Sequence, residues 1–167
     1  MTILFKAPIS STVKTITAGI IIIVASTGIT VTMVSILQGF LMLGILITTF
    51  LLLVIMISYL FMPRGYTITS SKIIIHRLWK DIEIPRNEIA YALQLNKHRV
   101  LHESVRLGGS GGLFGYYGLF WIKNLGKAWL YVTDENRMIL IKLKSGKTYI
   151  ISPDRPRLFL EILGITI

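Results

Sequence analysis

The sequence predicts an N-terminal transmembrane helical hairpin followed by a mainly-β domain that one C-terminal helix closes. Three observations carry this. Thr15–Pro63 runs for 49 residues without a single Lys, Arg, Asp, Glu or His. Beyond Pro63 come short stretches rich in Ile, Tyr, Val and Thr, separated by Gly, Pro, Asn and Asp. The last of these leads into a helix-start pattern at Ser152–Pro156. The expected division is 1–14 as an N-terminal segment, 15–63 as the hairpin and 64–167 as the β domain.

A single helix over the apolar run would be about 74 Å long at about 1.5 Å per residue. The hydrocarbon core of a bilayer is roughly 30 Å thick, so the run is read as two spans. They cover about Thr15–Leu37 and about Phe40–Met62, with the turn at Gln38-Gly39. Ala18, Gly19, Ala25, Ser26 and Gly28 on the first span, with Gly44, Thr48 and Thr49 on the second, are small enough for close backbone approach. Lys6 and Lys14 ahead of the run look like the basic end of a signal peptide. Ala25–Gly28 is a poor cleavage site, however, and a second apolar run follows at once, which favours an uncleaved span.

Orientation follows from the flanks. Lys6 and Lys14 precede the hairpin, and Arg64, Lys72, Arg77 and Lys80 follow it, while the turn carries no charge. The positive-inside rule then places both termini in the cytoplasm. The expectation is a multi-pass protein of the inner (plasma) membrane.

Mean hydropathy is +0.67 and net charge +10. Residues 64–167 carry 16 basic and all 8 acidic side chains. Such a surplus beside a bilayer suits anionic lipid headgroups. Nucleic acid is not expected as a partner, since no binding motif for it is present. With no cysteine, disulfides and thiolate chemistry are excluded.

The β domain reads in order as follows. Tyr66–Thr69 and Lys72–Arg77 flank Ser70-Ser71, a tight hairpin. Asp81–Ile84 alternates before Pro85, and Glu88–Leu95 resumes a strand pattern. Asn96–Ser104 is polar and basic. A glycine-rich block spans Gly108 to Gly126. Leu130–Thr133 and Met138–Leu143 bracket an Asp134-Glu135-Asn136 turn, and Lys144–Lys147 turns into Thr148–Ser152. Pro153 and Pro156 mark a helix start with Ser or Asp as its cap, and Leu158, Phe159, Ile162 and Leu163 form one apolar face. About seven strands and one helix result.

That order, with Gly112–Trp121, Tyr131-Val132-Thr133 and Ile151-Ser152-Pro153-Asp154, resembles a bacterial pleckstrin-homology (PH-like) domain family whose members commonly follow two transmembrane helices. The resemblance covers about Tyr66–Leu163. It implies two nearly orthogonal antiparallel sheets capped by a helix, and no catalytic residues. The first hairpin loop, Ser70-Ser71-Lys72, lacks the several Lys/Arg of the phosphoinositide-binding pattern, so inositol-phosphate recognition is not carried over.

Catalytic motifs fail on context. Gly108-Gly109-Ser110-Gly111-Gly112 matches G-x-S-x-G, but Leu113–Trp121 is no helix and every histidine lies upstream. The run meets neither the P-loop nor the dinucleotide pattern. His98 and His102 are spaced four apart in a segment with weak helix signals, and read as solvated loop histidines rather than metal ligands. Cofactors are expected to be none.

The block Gly108–Trp121 holds six glycines and five aromatics. It reads either as a strand pair whose rings fill a small core or as a loop that dips into the bilayer interface or closes on a ligand. Candidate contacts for lipid or partner are Phe114, Tyr116, Tyr117 and Trp121, with Lys97, Arg99, Arg106, Lys123 and Lys127 around them. The function expected is a membrane-tethered, non-enzymatic binding module for a partner protein or anionic headgroups. Alternatives are a structural subunit of a membrane assembly, including a homo-oligomer, or an enzyme acting on a membrane substrate.

Overall fold

The computed structural model describes residues 2–95, 101 and 103–164. The uncharged run forms α1 (Ser11–Leu37) and α2 (Leu41–Phe61), both long and apolar enough to cross a membrane. Only 11% and 6% of their most apolar windows are buried. α1 starts four residues earlier than hydropathy alone suggests because Ser10 caps it, its Oγ accepting from the Val13 amide at 3.2 Å. The turn falls at Gln38-Gly39, as expected. Of the small residues, Gly28, Gly44 and Thr48 lie at the helix crossing. A Cβ on Gly44 would come within 2.8 Å of the Ser35 side chain and 3.2 Å of the Thr32 backbone. Across the same crossing the Thr48 hydroxyl donates to the Gly28 carbonyl. Gly19 meets nothing within 4 Å.

The described residues form ten strands, one before the helices and nine after them, against about seven expected. β1 (Ile3–Lys6), β2 (Pro63–Ile68), β3 (Lys72–Arg77) and β4 (Ile82–Pro85) form one sheet in that order. Antiparallel register aligns Ile3, Ile68, Ile73 and Ile84 in one row and Phe5, Tyr66, Ile75 and Ile82 in the next. These rows face the main core. β1 comes from the segment that the sequence sets apart as 1–14. Four residues of mixed polarity carry no strand signal until β2 offers its edge. Because β1 pairs with β2, the helical hairpin is an insertion between two neighbouring strands of one sheet.

The second sheet contains β5 (Ile89–Gln94), β6 (Ser104–Gly111), β7 (Tyr116–Ile122), β8 (Gly126–Val132), β9 (Ile139–Leu143) and β10 (Thr148–Ile151). Its order is β5-β9-β10-β8-β7-β6. The hairpin of β9 and β10 slots in beside β8, which makes β10 parallel to β8 and is the one departure from antiparallel pairing among the described strands. One face of this sheet closes the main core; the other carries a second cluster with Phe120, Leu130 and Ile150, against which Leu95 and Leu101 pack.

α3 (Pro156–Leu163) lies over the end of the core, and Phe159 meets Phe5 edge-on with centroids 5.0 Å apart. Pro156 opens the helix as expected, but neither Ser nor Asp caps it. The N-cap position is Arg155. Ser152 is committed elsewhere: its Oγ accepts from the amides of Thr133 and Asp134. At the other end, the Arg86 guanidinium donates to the carbonyls of Ile162 and Leu163, which the helix itself leaves without partners.

Candidate membrane-proximal binding site

The glycine-aromatic block is the β6–β7 pair, not a loop. Gly109 and Gly118 face each other across it at φ +111 and +117. A Cβ on Gly109 would lie 2.1 Å from the Tyr117 carbonyl oxygen, so the two backbones touch where no side chain fits. The resulting sharp coil carries the hairpin tip onto the helices. There the Phe114 amide donates to Thr17 Oγ1 at 2.9 Å, and the Phe114 ring meets Tyr59 edge-on at 5.3 Å.

The last carbonyls of α2 have no helical partner, and the β domain supplies some. The Tyr117 hydroxyl donates to the Ser58 carbonyl, and the Trp79 amide donates to that of Leu60. On the other helix the Ser10 amide donates to Thr133 O, while Ser10 Oγ donates to the buried Glu135 carboxylate. Both ends of the hairpin are thus hydrogen-bonded into the β domain.

Beside this joint is a cavity of about 470 Å³. Ile57, Ser58 and Phe61 of α2 form one wall; Leu119, Trp129 and Tyr131 of β7 and β8 form another. Arg77 adds the single charge to the lining, its guanidinium 5.5 Å from the Phe61 ring centre and 5.7 Å from that of Tyr131. Its Nε–H donates to the Lys80 carbonyl, and no carboxylate among the described residues pairs with it.

The apolar lining continues outward. Register places Val105, Trp121 and Lys127 side by side on the face that carries Leu119 and Trp129. Val105, Trp121 and Trp129 are 58%, 45% and 40% exposed, an unusual concentration for one side of a small sheet.

The sequence-predicted residues divide. Tyr117 is buried and Phe114 half-buried at the joint; Tyr116 is half-buried against the second cluster. Trp121, Lys123 and Lys127 are exposed around the β7–β8 turn. Arg106 is exposed too, but its register with Phe120 sets it on the opposite face. Lys97, Arg99, His98 and His102 lie outside the described residues. Arg77 and Trp129 are not among the residues that the sequence marks for the site. The alternation Lys127-Ala128-Trp129-Leu130-Tyr131 marks a two-faced strand, but nothing local tells which face is left uncovered.

Burial pushes the hydroxyls of Tyr66 and Tyr131 up to about 12 and raises that of Tyr117. The hydroxyls of Tyr66 and Tyr117 donate to the carbonyls of Tyr131 and Ser58. Thr67, His76 and Asp81 line up as hydroxyl, imidazole and carboxylate at 2.8 Å each. Thr67 is 7% exposed, and His76 points from the face of β3 opposite to Arg77 and the cavity. The chain of bonds ties β2 to the β3–β4 turn. Among the described residues no group of three His, Asp or Glu is placed to hold a metal.

Compared with known families, residues 64–165 match the model described as Bacterial PH domain. The chain belongs to the bacterial PH domain family. Neither the curated proteins nor the solved structures contain a match to it. The PH domain assignment agrees with two sheets of mostly antiparallel strands and a C-terminal helix behind two long apolar helices. The matched segment begins after the hairpin, so β1 is a strand of the domain that lies outside the match.

Proposed function

We propose that the chain is a multi-pass protein of the inner membrane, with both termini in the cytoplasm, whose PH domain is a non-enzymatic module binding anionic lipid headgroups at the bilayer surface. One observation carries this reading. The uncovered face of β6–β8, with Trp121, Trp129 and Lys127, is continuous with the end of α2. Tyr59, Arg64 and Trp79 surround that same helix end; Arg64 donates to the Tyr59 hydroxyl at 2.6 Å, and Trp79 stacks on Phe61. Trp and Tyr favour the membrane–water boundary, and basic side chains there gain roughly 1 kcal/mol each against anionic lipid.

The full chain in nanodiscs tests this. Hydrogen exchange across 121–129 should slow when phosphatidylglycerol replaces phosphatidylcholine and return as salt rises, because only charges within about 8 Å of the headgroups act at physiological ionic strength. Lys123→Ser with Lys127→Ser should remove the difference. Identical exchange in both discs would discard headgroups as the ligand and leave a partner protein as the occupant of this face.

A further inference from the structure

The cavity beside α2 has a chemistry of its own, distinct from the basic rim at Lys123 and Lys127. We propose that it holds one acyl chain of an anionic glycerophospholipid drawn from the leaflet that surrounds α2, with the lipid phosphate on Arg77. This deepens the lipid-binding reading and rests on it.

Three features argue for that occupant. The volume, about 470 Å³, falls within the roughly 300–1,000 Å³ typical of ligand sites. The cavity is continuous with the last turn of a span: Ile57 and Phe61, four apart, put one face of α2 into its wall. A bilayer that covers α2 therefore brings the boundary between its headgroups and its chains to this space. The lining is also largely apolar, with a few hydroxyls from Ser58, Ser110 and Tyr131, and its one charged residue is a cation without a described acidic partner. A guanidinium so placed suits a phosphate that enters with a hydrocarbon chain. The guanidinium already rests on the Phe61 and Tyr131 rings and the Lys80 carbonyl, and a phosphate adds the opposite charge that those contacts lack.

Gly108 makes the idea testable. It lies on the cavity wall, opposite Leu119, and a Cβ there would meet nothing within 4 Å. Its neighbours Gly109 and Gly118 have no such room. Gly108→Leu therefore fills the space without forcing the backbone.

The experiment uses the full chain in phosphatidylcholine nanodiscs, with Trp79→Phe and Trp121→Phe leaving Trp129 as the sole indole. Phosphatidylglycerol brominated along its chains is added in increasing fraction. A lipid held in the cavity should quench Trp129 in a saturable manner at low fraction, whereas bulk contact gives a gradual rise. Brominated phosphatidylcholine should need about fivefold more lipid for the same effect, the equivalent of one favourable headgroup charge. Arg77→Gln should erase that preference and Arg77→Lys restore most of it. Gly108→Leu should abolish the saturable part.

Gradual quenching of equal strength by both lipids overturns the proposal, and the wild-type curve decides this even where the glycine variant does not fold. A saturable component that persists in folded Gly108→Leu also overturns it. So does cross-linking of two copies through Trp129 and Leu119, which would make the face a self-interface. Exchange protection of 121–129 without saturable quenching keeps the surface function and removes the cavity site. Saturable quenching without that protection does the reverse.

Discussion

Tyr66 shows how much one side chain organises. Fully buried, its hydroxyl donates to the Tyr131 carbonyl at 2.7 Å and accepts from the Ser152 amide at 3.2 Å, joining the two sheets through one oxygen. Burial raises its folded pKa to about 12 from an ordinary 10. The folded state therefore holds this proton more tightly than the unfolded one. The linked stability is complete below pH 10 and is lost as pH climbs from 10 through 12, by about 3 kcal/mol over two units. Thermal unfolding between pH 9 and pH 12 should show the fall, and Tyr66→Phe should make it shallower without removing it, since burial pushes Tyr131 up to about 12 as well. That variant should also cost about 1–3 kcal/mol at neutral pH, because the Tyr131 carbonyl and Ser152 amide lose their partner. The same scale governs the paired glycines. Gly109→Ala combines a disfavoured φ, worth about 1–3 kcal/mol, with a backbone clash, so it should melt far below Gly108→Ala in a direct comparison.

At the scale of elements, the decisive one is the shortest. β1 supplies only Ile3–Lys6, yet Phe5 is fully buried between Tyr66 and Phe159. A fragment beginning at Arg64 matches the family's extent but leaves β2 an open edge and a ring-sized void beneath α3. Removing a buried Phe alone costs about 3–5 kcal/mol. That fragment should therefore be unfolded or aggregated. Lys6 pairs with Gly65, so joining them through a two-residue Asn-Gly turn should restore a folded, mainly β protein without the helices. Circular dichroism and melting of the two fragments check this; equal folding of both would show β1 to be dispensable.

For the whole molecule, topology follows from that pairing. Since β1 and β2 are adjacent, both outer ends of the helical hairpin must lie on the same side of any membrane it crosses. The proposed cytoplasmic side rests on the basic residues of its flanks. Reporters fused before Met1 and after Ile167 should both report cytoplasm, and a signal from the opposite compartment for either would reverse the proposed orientation. The hydrogen bonds from Ser10, Trp79 and Tyr117 to the joint further imply that the domain does not swing freely from its helices.

Much of this was legible in the chain because its signals are local. An uncharged run longer than one bilayer, interrupted at Gln38-Gly39, can satisfy its backbone in lipid only as helices. Alternation and turn residues likewise marked most of the strands after Pro63, and two prolines marked the start of α3. The rest depended on partners distant in sequence. Ile3–Lys6 became a strand only against β2, and Ser152 left its expected cap to bind Thr133 and Asp134. Gly109 met Gly118 backbone to backbone, which turned an ambiguous glycine-aromatic block into a clasp on the helices. The cavity needed α2, β3, β7 and β8 to meet around Arg77. Composition recorded a basic domain rich in rings; tertiary packing decided which rings filled the core and which remained uncovered, because burial is set by what lies opposite a face and not by the face itself.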